Sequence, residues 1–292
     1  LPIPVLHTFI FILWITTMIL LLQLSITFLP PVGYDALEYH FGAPTYYVQI
    51  HKIGYLLGNA YSNFPENIEM LNTWGMLIQN ELIGKLFIWF LGVLTVLSIY
   101  ITGKKYCSSL TGIVSAAMFS ALPMVTKLNL QGNIDIGMAC FSILSFYCFL
   151  NWQKNHHQVD MFLCGLFAGL AFGCKYIVIT ITILPLFSVL LLRLHNIKKP
   201  YYLILLFALT SLIVSIPWLI KNIVLTGNPV FPLLYHLLGG TGWNDFVADK
   251  FFKAHSPSFD IYHLFKGHLS LIYPFASAPY TWIPILFFPV LV

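Results

Sequence analysis

VLHTFIFILWITTMILLLQLSITFL, Val5–Leu29, holds no acidic residue, lysine or arginine and is long enough to cross a ~30 Å hydrocarbon layer. It is too long for a signal peptide and lacks the basic start and small-residue cleavage site of one. A second apolar run, Leu82–Ile101, carries only Lys85 near its start. Between the two lies a polar loop, residues 30–81, with Asp35, Glu38, Glu66, Glu69 and Glu81. Carboxylates held beside a bilayer are costly, so an acidic loop trapped there is where chemistry is expected.

The rest of the chain has the same character. Hydrophobic residues make up 59% and charged residues 8%, with a mean hydropathy of +0.83, whereas a soluble domain carries about 25% charge. Long apolar runs, rather than short alternating segments, exclude a β-barrel. The expected class is all-α, a polytopic integral membrane protein. A net charge of +4 without a basic stripe, and with Arg193 as the single arginine, gives nucleic-acid binding no support. Cys107, Cys140, Cys148, Cys164 and Cys174 lie in or beside apolar runs without C-x-x-C spacing, so buried thiols are expected, not disulfides or a metal site.

Apolar runs bounded by charge or turn residues predict eight spans, near 5–29, 84–101, 109–126, 136–152, 160–174, 176–192, 201–219 and 271–292. The fifth and sixth are short and meet at Gly173-Cys174-Lys175-Tyr176, as in a tight hairpin. A second polar loop is expected over 221–270. The chain starts at Leu1 and stops inside an apolar run, so the reading is one transmembrane domain over 1–292, a fragment with C-terminal spans missing. No internal repeat of the transporter type is visible.

Charge sets the expected orientation. Lys104, Lys105, Lys154, Arg193, Lys198 and Lys199 crowd three short turns, while every acid except Asp160 falls on the other side. By the positive-inside rule the short turns are cytoplasmic and the two long loops face outward. Chemistry on that face proceeds without cytoplasmic ATP or sugar nucleotides. In the first loop Asp35, Glu38 and Tyr39 stand at i, i+3 and i+4, one helical face, while His40 points elsewhere. Asn63-Phe64-Pro65 opens a second short helix with Glu66 and Glu69. Both helices are expected to lie on the membrane surface, where the loop's tyrosines are at home.

Asp35 has two readings from position: a helix N-cap, or a base at the membrane surface. Glu38 and His40 are either neighbours of the reacting groups or ordinary polar residues. Lys175 and Lys221, at span ends, either receive a phosphate or snorkel. Asp135 opens the fourth span, where the helix dipole favours an acid and where an acceptor or a cation would also be held. His156, His157, His236, His255, His263 and His268 make no zinc pattern.

Four spaced pieces carry a resemblance. They are Tyr34-Asp35-x-x-x-Tyr39-His40-x-x-x-Pro44, Asn63-Phe64-Pro65-x-x-x-Glu69-Met70-Leu71, Gly169-Leu170-Ala171-x-Gly173-x-Lys175-Tyr176, and Pro217-Trp218-x-x-Lys221-Asn222 followed by Thr226-Gly227-Asn228-Pro229-Val230-Phe231-Pro232. In this order they resemble the C-type (GT-C) glycosyltransferase superfamily. The likeness is to its bacterial members related to protein O-mannosyltransferases and lipid A aminoarabinose transferase (glycosyltransferase 39-like). The resemblance implies a GT-C-like bundle in a bacterial inner membrane. Its implied reaction is an inverting sugar transfer on the outer face, from a polyprenyl-phosphate carrier to a lipid, glycan or protein acceptor. Asp35 matches the family's catalytic aspartate. Where eukaryotic-type members have an Asp-Glu pair, Ala36 follows Asp35 here, and Glu38 stands as the second catalytic carboxylate. Tyr39, His40, Glu69, Asp135, Lys175 and Lys221 are the expected substrate-binding residues. No cofactor is expected; a divalent metal is compatible with the superfamily, but no metal-binding residue is singled out. The alternatives are a lipid-linked glycan transporter or flippase, or a non-catalytic glycolipid-binding protein. Spans nearly free of charge at mid-depth favour an interfacial enzyme over a transport path.

Overall fold

The computed structural model describes residues 3–193 and 200–255. The expected eighth span, the second polar segment beyond residue 255, and His263, His268, Lys198 and Lys199 lie outside them. Every regular element among the described residues is a helix. Four helices are long and apolar enough to cross a membrane: α1 (Ile3–Thr27), α4 (Glu81–Tyr106), α7 (Asp135–Asn155) and α10 (Pro200–Thr226).

The third expected span is a bent pair, α5 (Ser109–Ala121) and α6 (Pro123–Gln131), turned by 58°. Pro123 is the cause: the residue before a proline is driven out of the helical region, and Leu122 is extended at ψ 123°. The short fifth and sixth spans appear as α8 (Gln158–Phe172) and an apolar segment over Ile179–Leu192, a π-helical turn (Ile179–Ile183) continuing into α9 (Leu184–Leu192). Helix α10 runs past Lys221 to Thr226, so the second polar segment starts at Gly227 rather than residue 221. There Asn228 organises the turn: its amide donates to the carbonyls of Leu233 (2.9 Å) and Gly239 (3.0 Å). Two short helices follow, α11 (Tyr235–Leu238) and α12 (Asp245–His255).

Water offers no contrast in hydrophobicity inside a bilayer, so helices associate through close backbone approach and polar ties. Both are present. At Gly165 and Gly169 of α8 a Cβ atom would collide with the backbone of α10 at Phe207 and Ser211, so no larger residue allows this packing. Gln23, buried in α1, donates to the Ser120 carbonyl and the Thr126 hydroxyl (both 3.0 Å), which pins α1 onto α5 and α6.

The first loop is docked into the bundle as well as lying at its surface. It holds a π-helical turn (Ala36–His40), α2 (Gly42–Ile50), a 3-10 turn (Tyr61–Asn63) and α3 (Asn67–Ile78). Ala36, Ala43, Tyr47 and Ile68 are buried. Gly75 of α3 sits against the backbone of Gly84 in α4, with no room for a side chain between them. Glu66 precedes α3 as its N-cap residue instead of sharing the helix with Glu69.

The helix directions put the first loop, the start of α4, the start of α7 and the end of α10 at one end of the bundle. The turns carrying Lys104 and Lys105, Lys154 and Arg193 fall at the other. At that basic end Lys105 Nζ and the Tyr106 hydroxyl both donate to Asn151 Oδ1, at 2.6 and 2.7 Å.

A candidate acidic site at one end of the bundle

The chain leaves α1 through Pro30-Pro31, and the amide of Leu37 donating to the Gly33 carbonyl (3.0 Å) opens a helical turn. Asp35 lies in that turn with helical dihedrals (φ −59°, ψ −39°). It is exposed, and its carboxylate makes no capping hydrogen bond. The capping role open to Asp35 from position is therefore not taken up.

The turn then widens to π geometry, closed by the Phe41 amide donating to the Ala36 carbonyl (2.8 Å). Such bulges recur at functional sites. Here the widening drives His40 inward while Asp35 stays at the surface. Nδ1 of His40 is 2.7 Å from Glu69 Oε1, both buried, and the His40 carbonyl accepts from Asn72 Nδ2 at 2.9 Å. A carboxylate only accepts, so Nδ1 carries the proton. His40 thus clamps the turn onto α3 twice and sets where Asp35 stands.

Around this turn the other acids gather on Tyr39. Burial, then the negative charges of Asp35, Glu69 and Asp135, hold its phenol well above the usual tyrosine range. The Tyr61 phenol is raised by burial and by Glu38 and Asp35; that of Tyr34 is raised first by its hydrogen bond to Glu38. Tyr61 stacks on Tyr39 with ring centres 5.1 Å apart. Across from them Asp135 Oδ1 is 3.0 Å from Lys175 Nζ, side chains 28% and 38% exposed, so that pair stays open to a ligand.

Lys221 is placed differently. It is buried, and its ammonium is 3.2 Å from Glu66 Oε2 while donating to the carbonyls of Ser62 (3.1 Å) and Phe64 (3.0 Å). The two carbonyls take two of the three N–H bonds of a lysine, and Glu66 pairs with it by charge. Glu66 also accepts from the Tyr47 hydroxyl at 2.8 Å. Lys221 ties the first loop to α10 from a buried position, which sets it apart from the partly exposed Lys175. Burial pushes the Glu66 carboxyl up to about 7, against the pull of Lys221 and with that of Glu69.

Sequence reasoning missed Tyr34, Tyr61 and His255. The Tyr61 hydroxyl lies 2.9 Å from His255 Nε2, and His255 Nδ1 lies 2.7 Å from the Phe251 carbonyl. A carbonyl accepts, so Nδ1–H donates and, in the neutral ring, Nε2 accepts from Tyr61. Helix α12 is thereby hooked over the aromatic pair. No local pattern signals a contact between residues so far apart in the chain.

Chemically, the site offers a free carboxylate at the surface, an open cation beside a second acid, and acceptors short of donors. Glu38 Oε2, Glu69 Oε2, Asn63 Oδ1 and Asn133 Oδ1 are buried with no hydrogen-bond partner among the described residues. Buried acceptors are normally paired, so this concentration suits a ligand rich in hydroxyl groups. Among the described residues no three His, Cys, Asp or Glu side chains are grouped to hold a metal.

An α-helical integral membrane protein with an acidic, acceptor-rich site at one end of its bundle is the class so defined. The profile of the dolichyl-phosphate-mannose-protein mannosyltransferase family matches residues 73–220, just over half of the chain, from within α3 to within α10. The chain belongs to that family and is a membrane glycosyltransferase of the GT-C type. No curated protein and no solved structure matches it.

Proposed function

We propose that this protein transfers a sugar from a polyprenyl-phosphate carrier to a lipid, glycan or protein acceptor, with inversion. The reaction takes place at the acidic end of the bundle, on the outer face of a bacterial inner membrane, and uses no cofactor. The acceptor oxygen attacks the anomeric carbon as the bond from that carbon to the phosphate oxygen breaks. Asp35 takes the acceptor's proton, and the electron pair of the broken bond leaves with polyprenyl phosphate. A single displacement of this kind inverts the anomeric centre. Lys175, open beside Asp135, is the cation for the leaving phosphate. Glu38, Glu69 and Asn133 accept from the sugar hydroxyls, and the Tyr39–Tyr61 pair gives its ring a stacking face.

The observation that carries this reading is the exposed Asp35 carboxylate, free of any capping bond, beside buried acceptors without partners. Purified protein given a polyprenyl-phosphate mannose and an envelope extract should release polyprenyl phosphate and form a product of opposite anomeric configuration. Retained configuration would overturn the single displacement. No carrier turnover, together with envelope glycans unchanged by loss of the gene, would overturn the function.

The orientation has its own test. Cys107 is exposed at the basic end, while the other four cysteines are buried. In intact cells a membrane-impermeant thiol reagent should leave wild-type protein unlabelled. A Leu57→Cys variant in a Cys107→Ser background should label, since Leu57 is exposed in the first loop. The reverse pattern would put the acidic end in the cytoplasm.

A further inference from the structure

Far from the acidic cluster, α4, α7 and the segment leading into α9 enclose a groove of about 740 Å³. This is within the range of small-molecule sites, about 300–1,000 Å³. Its walls are apolar, with Ile99, Phe146, Leu150 and Val189 among them. Phe146 and Val189 are exposed along the sides of helices that a bilayer would surround. At the inner limit Thr182 donates to the Ser142 hydroxyl at 2.9 Å, so the polar groups there satisfy each other. At the other limit stand Gln153 and Arg193, the chain's single arginine.

We propose that this groove is a binding site for a diacyl phospholipid with an anionic head, drawn from the leaflet at the basic end. Two observations select that occupant. The first is length: from Ser142 to Gln153 α7 advances eleven residues, about 16 Å at ~1.5 Å each, close to half of a ~30 Å hydrocarbon core. The groove therefore runs from mid-depth to one surface, the extent of one acyl chain. The second is charge: the exposed guanidinium of Arg193 lies where that chain's headgroup phosphate falls, and its planar fork matches phosphate oxygens two at a time. The groove adjoins the α7–α8 core of Phe149, Trp152 and Met161, so a lipid seated there braces the bundle end opposite the reaction. The site is independent of the proposed transfer chemistry.

The test uses the full chain purified in detergent and stripped of lipid, with phosphatidylglycerol and phosphatidylcholine vesicles as probes. Wild-type protein should gain thermal stability with phosphatidylglycerol at a concentration roughly tenfold below that needed of phosphatidylcholine, the size of one charge-assisted phosphate contact. Native mass spectrometry should show one retained phospholipid. Arg193→Gln should keep the lipid-free melting temperature and lose the preference between the two headgroups. Ile143→Trp, which fills the groove, should lose the response to both. Equal stabilisation by the two lipids in wild-type protein, or an unchanged preference in Arg193→Gln, would overturn the proposal. So would the absence of retained lipid together with no response to either vesicle, the result expected of a groove covered by protein.

Discussion

Asp35→Asn should fold like the wild type, bind a polyprenyl-phosphate sugar and transfer almost none of it. Asparagine keeps the shape of the side chain but cannot take a proton at neutral pH. Losing a general base costs about 10²–10⁴ in turnover. The competing role for an aspartate at a helix start, capping, is worth about 1 kcal/mol of stability. Asp35 is exposed and makes no capping bond, so even that small loss is not expected. Glu38→Gln is the informative companion. Glu38 is half-buried, so it is less free than the exposed Asp35 to reach an incoming hydroxyl. Turnover and melting temperature of the two purified variants separate the assignments. Near-normal transfer by a well-folded Asp35→Asn protein would remove it as the base and bring Glu38 forward.

The membrane class was legible because apolar runs such as Val5–Leu29 have one solution in a bilayer, a helix with all its backbone bonds internal. The break at Leu122-Pro123 was not, since hydropathy continues across it and only the proline's backbone restriction turns the chain. Asp35, Glu38, Asp135 and Lys175 could be singled out as charges stranded at span ends, where polarity is costly enough to be conspicuous. Asp35 meets Tyr39 along one helical face, a relation the spacing shows, but the approach of Glu69 and Asp135 to that tyrosine is tertiary and has no periodic trace. The same limit applies to His40 and Glu69. Both were expected at the site, but their buried hydrogen bond needs α3 to fold back onto the π-helical turn. The burial of Lys221 was hidden for a related reason. A lysine near a span end reads as facing water or headgroups, yet here the loop folds over it and supplies a carboxylate and two carbonyls.

That burial makes Lys221→Met the substitution with the largest expected effect on stability. Removing one partner of a buried ion pair typically costs ~3–5 kcal/mol, because the other charge is left without compensation. Glu66 is the charge left behind here, and the carbonyls of Ser62 and Phe64 lose a donor as well. The loss should depend on pH, with a sign set by Glu66. Its carboxyl is raised from 4.5 to about 7, chiefly by burial, so the fold favours the neutral form. The stability this contributes is complete below pH 4.5 and is lost as pH rises to about 7. Without Lys221 the charged form is harder still to accommodate. The deficit of Lys221→Met relative to wild type should therefore be small near pH 5 and large near pH 8. Adding Glu66→Gln should recover much of it at pH 8, since no unpaired charge is then left at that position, and should flatten the pH dependence. Thermal unfolding of the three proteins in detergent at both pH values decides the matter. A deficit below about 1 kcal/mol at pH 8, the size of an exposed pair, would show that Lys221 does not brace the loop and would return it to the phosphate site beside Lys175.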